Sequence, residues 1–216
     1  MQNLWDSGGD CIVRMREVLF ILKKLSLKNI SVIAIMAALG AVLMLVDFPI
    51  AIAPSFYKMD LGDVPCLIGA FALGPLGAFL IQVVKILIKL LLKPTSTAFV
   101  GEMAAFICSS SLCVSASVIY SGYKTKKNAI KAMVIGTIIM AMIATIANYY
   151  FIIPAYVKMY NLPLETIIGM GKAIFPIIND KSSFVFCCVF PFNLIKGGLN
   201  SLITFIVYKH VSPLLK

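Results

Sequence analysis

Residues 62–92 read GDVPCLIGAFALGPLGAFLIQVVKILIKLLL. Two apolar runs, 62–73 and 75–92, meet at Gly74-Pro75. Proline cannot donate to the preceding turn and glycine tolerates a tight reversal, so the pair is expected to form a helical hairpin. At about 1.5 Å per residue the first run reaches only roughly 18 Å, short of a hydrocarbon core about 30 Å thick, so its ends need cover from neighbouring helices. Outward from this hairpin, further apolar runs at 29–46, 98–121, 128–154 and 184–210 bring the expectation to six helices.

Composition points the same way. Of the 216 residues 61% are hydrophobic and 13% charged, against about 25% charged in ordinary globular domains, and the mean hydropathy is +0.99. The expected fold is all-α: a polytopic membrane protein with six transmembrane helices, 29–216 forming a single membrane domain behind a cytoplasmic segment, 1–28. A cytosolic enzyme is excluded. The net charge of +10 is read as lysines flanking membrane spans, with no nucleic acid as partner.

Positive charge sets orientation, because basic loops stay on the cytoplasmic side. Arg14, Arg16, Lys23, Lys24 and Lys28 precede the first span, Lys124, Lys126, Lys127 and Lys131 join the fourth and fifth helices, and Lys209 and Lys216 follow the last. The remaining connections hold only Lys58, Lys93, Lys158, Lys172 and Lys181, together with most loop carboxylates. Both termini are therefore expected in the cytoplasm. The outer face then receives two segments, 47–61 and 155–183, longer than connections usually are without a function, and both read as lids. Leu164, Ile167, Ile168 and Ile174 in the second suit a short helix lying at the interface. Six cysteines without metal or redox spacing, and a lone His210, set aside metal and haem chemistry. The N-terminus lacks the basic start of a cleavable signal, and Met15 is an alternative start.

Ionisable groups inside spans cost roughly 2.5–3.5 kcal/mol each on insertion scales, so each needs a partner, a cavity or a function. Lys85, Lys89, Glu102 and Lys196 are such groups. Gln82, Lys85 and Lys89 share one helix face pointing into the bundle. Lys89 and Glu102 fall at similar depth, which suits an ion pair, either a brace between helices or part of a ligand site. Asn193 and Lys196 share a face on a helix interrupted by Pro191 and by Gly197-Gly198, and Asn148 precedes Tyr149-Tyr150 and Pro154. Two carboxamides and an ammonium presented together would match an imide-like edge, where a ring N–H lies between carbonyls; the alternative for Asn148 is a polar contact between helices. Ala34, Ala37, Ala38 and Ala41 form two small-xxx-small pairs that permit close helix approach, to a helix of this chain or of a partner.

Catalytic apparatus is not visible. Gly169-Met170-Gly171-Lys172 is followed by alanine and lacks the phosphate-loop pattern; there is no Gly-x-Ser-x-Gly, no His-Glu-x-x-His and no pair of intramembrane aspartates. Recognition of a small molecule from outside, with energy supplied elsewhere, is the reading that remains.

Four stretches carry a family resemblance: Lys58-Met59-Asp60-Leu61-Gly62-Asp63-Val64-Pro65, Phe71-Ala72-Leu73-Gly74-Pro75, Asn148-Tyr149-Tyr150-Phe151-Ile152-Ile153-Pro154 and, most specific, Phe190-Pro191-Phe192-Asn193-Leu194-Ile195-Lys196-Gly197. The chain after about residue 29 resembles the riboflavin-specific substrate-binding subunits (S components) of energy-coupling factor (ECF) vitamin transporters. The resemblance implies six helices enclosing riboflavin near the outer surface, a transmembrane coupling protein and two ABC-type ATPase subunits as partners, and no cofactor, ATP being used only by the partners. It implies a multi-pass protein of a bacterial cell membrane and no enzyme activity. By motif, Asn148, Asn193 and Lys196 resemble the groups that bind the isoalloxazine ring, and Tyr57, Lys58 and Met59 the loop that covers it. Phe48, Phe56, Met59 and Tyr149 would supply apolar contact, and the alanine face the surface that meets the coupling protein. The chain departs from the family pattern at Ile86 and Ala105, where relatives carry asparagine, and at Lys89, where they carry histidine. Two rivals follow: an S component for another vitamin such as thiamin, and an intramembrane enzyme using Glu102 and Lys89 as acid and base.

Overall fold

The structure, a computed structural model, describes residues 26–211 and, for 209–211, the helical backbone only. The expectations for Met15 as a start and for Arg14, Arg16, Lys23, Lys24, Lys209, His210 and Lys216 lie outside the described residues and side chains. The chain divides into two compact units, Met1–Val32 and Ile33–Lys216. In the first, the Ser26 hydroxyl accepts from the Asn29 N–H at 3.3 Å where helix α1 (Leu27–Leu45) starts. The rest of this description concerns the second.

After α1 comes a small antiparallel hairpin of β1 (Phe48–Pro49) and β2 (Lys58–Met59), with Phe48 opposite Met59 and Pro49 opposite Lys58. Helices α2 (Asp63–Leu92), α3 (Val100–Gly122) and α4 (Lys126–Ala147) follow. A π-helical turn at Asn148–Ile152 leads into α5 (Ile153–Met159), then α6 (Leu164–Ile174), α7 (Lys181–Phe184), a second π-helical turn at Val185–Val189, and α8 (Phe190–Val211).

Among the described residues five helical segments are long and apolar enough to cross a membrane: Leu27–Leu45, Asp63–Leu92, Val100–Gly122, Lys126–Met159 and Lys181–Tyr208. The runs 62–73 and 75–92, expected as a helical hairpin, both fall within the span of α2, which has non-helical backbone at Gly74. The helix reverses there. Gly74 has φ 83° and ψ −175°, and Asp63 bonds Lys85 at 2.7 Å, a separation that a straight helix would stretch to roughly 33 Å. The two limbs are therefore antiparallel. The conformation at Gly74 is one only glycine adopts readily, and no atom lies within 4 Å of where a Cβ would stand. Gly74→Ala is thus expected to cost about 1–3 kcal/mol through backbone strain alone, read as earlier thermal exposure of the buried thiols.

Each π-helical turn precedes a proline, Pro154 or Pro191. A proline ring lacks an N–H and crowds the turn before it, and a widened turn relieves both problems. Ile153 N–H reaches back to Asn148 O, and Phe190 N–H to Val185 O. Neither Pro191 nor Gly197-Gly198 interrupts α8, contrary to the sequence reading; the irregularity lies one turn earlier. The segment also starts sooner than expected. Asp180 caps α7 by accepting from the Ser182 and Ser183 N–H groups, and bonds from Ser183 hold its carboxyl below the usual range.

Small residues let these helices approach closely. A Cβ on Gly40 would stand 2.9 Å from Gly62 O, and Ala37 and Ala41 beside it are fully buried. Of the expected docking face, that pair packs inside this chain, whereas Ala34 and Ala38 are exposed. At the end of the bundle away from the β-hairpin, Ser117 Oγ donates to Ala70 O at 2.8 Å and the Tyr120 and Tyr208 hydroxyls meet at 3.1 Å.

Candidate functional site

The segment 47–61 folds over the hairpin-side end of the bundle and forms part of the wall of a cavity of about 370 Å³, within the range of small-molecule sites. Ring packing shapes one wall. The Tyr57 ring lies 4.7 Å from Phe56, 5.4 Å from Phe192 and 6.4 Å from Phe184, and Phe56 lies 5.5 Å from Tyr156. A flat, apolar ligand face would find matching surfaces here.

Asn148, Asn193 and Lys196 all line this one cavity, with Phe56, Tyr57 and Lys58. Asn148 sits in the first π-helical turn, and the two asparagines are held alike. Each Nδ2 donates to the carbonyl four residues back, Ala144 O or Val189 O, at 2.8 Å. One N–H of each amide is therefore spent inside its helix, and the second N–H and the Oδ1 remain to offer the donor and acceptor read from sequence. Tyr57 Oη donates to Asn148 Oδ1 at 2.6 Å. Burial, then the Tyr156 hydroxyl, pushes the Tyr57 phenol well above its usual range, which keeps it a donor.

Met59 and Tyr149 stand outside the cavity lining. Met59 is buried opposite Phe48 in the β-hairpin, and Lys181 lies 4.2 Å over the Tyr149 ring. Phe48 is exposed. Among the positions where the sequence departs from the family pattern, Lys89 and Ala105 line the cavity and Ile86 does not.

Charged groups in the wall are paired. Lys89 bonds Glu102, which also accepts from Thr95 Oγ1 at 2.9 Å and Thr97 Oγ1 at 3.4 Å. The pairing inferred from depth is thus present, and the carboxylate has a partner on each oxygen. At the mouth, Asp47 meets Lys58 at 3.1 Å and Lys93 at 3.9 Å.

Two carboxylates escaped the sequence reading. Neither Asp60, in the loop before α2, nor Asp63 is among the intramembrane charges read from sequence. Both are buried. Asp60 Oδ2 accepts from Lys196 Nζ at 2.6 Å, and Asp63 Oδ1 from Lys85 Nζ at 2.7 Å. Two intramembrane lysines are thereby neutralised. A carboxylate just ahead of an apolar run looks like a helix cap, so the one available signal was that two lysines inside spans lacked countercharges. Gln82 does point inward as expected, donating to Cys113 Sγ at 3.1 Å.

A family model described as the substrate-specific component of ECF transporters matches residues 28–208. The chain is 29% identical to the riboflavin transporter RibU of Staphylococcus aureus (strain TCH60), over 88% of this chain and 93% of that protein. It is 24% identical to the riboflavin transporter FmnP of Bacillus subtilis (strain 168), over 88% of this chain and 94% of that one. A solved structure of the S component of a bacterial ECF transporter aligns with a TM-score of 0.69 and 29% identity, covering 88% of this chain and 98% of that chain.

Proposed function

Since this chain belongs to the substrate-specific components of ECF transporters, multi-pass membrane proteins of transport and not enzymes, we propose that its cavity takes riboflavin from outside. The observation that carries the reading is the convergence of Asn148, Asn193 and Lys196 on one cavity walled by Phe56, Tyr57 and Phe192. A flavin ring has an N–H flanked by carbonyls on an otherwise apolar plane. The asparagine Oδ1 atoms can accept from that N–H, the Lys196 ammonium can donate to a carbonyl, and the rings cover the plane. The relatives named as riboflavin transporters support this ligand.

In this reading both limbs of α2 count as crossings. The six crossings belong to one membrane domain, 29–216, with 1–28 and both termini in the cytoplasm and the 47–61 lid outside. The lysines of 124–131 and the Tyr120–Tyr208 contact then mark the cytoplasmic end. Riboflavin enters beneath the lid. A transmembrane coupling protein, meeting α1 at Ala34 and Ala38, and two ABC-type ATPase subunits reorient the loaded subunit inward. The paired Glu102 and Lys89 act as a brace and contribute no acid–base step.

Purified protein in detergent is expected to quench riboflavin fluorescence until one flavin is bound per chain, with no competition from thiamin. Binding of thiamin with no response to riboflavin would move the ligand to the other vitamin.

A further inference from the structure

The two polar groups best placed to grip a ligand are both held by the loop that covers them. Tyr57 donates to Asn148 Oδ1 and Asp60 accepts from Lys196 Nζ, each at 2.6 Å. Asp60 is fastened three ways: Oδ2 to Lys196, Oδ1 to the Gly62 N–H at 2.9 Å, and its backbone carbonyl to Asn200 Nδ2 at 3.0 Å. Of the other buried carboxylates among the described residues, Asp63 bonds Lys85 and Glu102 bonds Lys89. The countercharge of Lys196 therefore resides on the lid. Opening the lid separates two buried charges, which is costly wherever water does not replace the lost contact.

We infer that Asp60 is a positioning residue for ligand capture: it fixes Lys196 on the cavity wall and ties lid closure to the same ammonium that meets the ligand. An ammonium has three N–H donors, so one bond to Asp60 leaves two for ligand carbonyls. A ligand that accepts from Lys196 is then joined through it to the closed lid, and its residence time depends on Asp60, which need not touch it. The identity of the ligand rests on the riboflavin reading; the latch between lid and α8 does not.

Asp60→Asn keeps the shape, the acceptor for Gly62 and the backbone bond to Asn200, but turns an amide toward the ammonium. Riboflavin should leave this variant at least about tenfold faster than wild type. Its bound-flavin absorption band should shift in the same direction as that of Lys196→Met, a change that general loosening would not produce. The double variant should bind no more weakly than Lys196→Met alone; further weakening would mean that Asp60 acts independently of Lys196 and would overturn the inference. Without ligand, amide hydrogen exchange at Met59 and Gly62 should be at least about tenfold faster in Asp60→Asn, and unchanged exchange would also overturn it. Should Asp60→Asn not fold, the double variant against Lys196→Met decides both flavin affinity and exchange. If wild type fails to bind riboflavin, the vitamin assignment falls while the exchange comparison still judges the latch.

Discussion

Lys85→Met protein is expected to be less stable than wild type by about 3–5 kcal/mol, the usual penalty for breaking a buried ion pair from one side. Lys85 and Asp63 are 1% and 0% exposed, and their contact joins the antiparallel limbs of α2. Methionine preserves most of the apolar stem that packs toward Gly40, so the change isolates the charge. It leaves the buried Asp63 carboxylate without its ammonium partner. Asp63→Asn/Lys85→Met should recover much of the loss, because a buried pair contributes less by its presence than one orphaned member costs. Thermal unfolding read by a thiol-reactive dye suits this chain: among the described residues Cys66, Cys108, Cys113 and Cys188 are buried and Cys187 is partly accessible. A single variant as stable as wild type, or a double variant showing the sum of both losses, would remove the pair from its structural role.

Ala38→Phe is expected to abolish riboflavin uptake in cells that supply the coupling protein and ATPases, while purified protein binds flavin within about twofold of wild type, as for other exposed substitutions. Ala34 and Ala38 are exposed beside Ile35, Leu39 and Val42. Such a face lets a partner helix approach closely only while its side chains stay small. Ala41→Phe should behave differently, lowering stability and binding together, because Ala41 is fully buried beside the Gly40–Gly62 approach. Normal uptake by the Ala38 variant would place the docking surface elsewhere.

The alanine pairs show how far helical spacing reaches. Spacing by three and four identifies residues that share a side, but 34/38 and 37/41 lie close to the boundary between buried and exposed faces. Which pair turned inward depended on where Gly62 and Cys66 came to rest. The asparagines make the same point about chemistry. Their residue type and their place in the last two crossings were legible, yet each spends one of its two N–H donors on the carbonyl four residues back in its own helix. Met59 and Tyr149, expected from the resemblance as apolar contacts, do not line the cavity although their neighbours Lys58 and Asn148 do, since neighbours along a strand or helix point in different directions.

From the sequence alone came the properties that are local or additive. Total hydropathy made this a membrane protein, Gly74-Pro75 marked the reversal, and unpaired intramembrane charges announced that partners must exist. Matching depth even paired Lys89 with Glu102, since both lie near the ends of helices joined by a short connection. Only the folded chain decided the rest: that Asp60 reaches Lys196 across 136 positions, that Asp63 meets Lys85, and that Ala34 and Ala38 stay exposed while Ala37 and Ala41 are buried. The physical reason is that burying a charge demands a countercharge without naming which one, and that choice belongs to the three-dimensional packing of segments far apart in the chain.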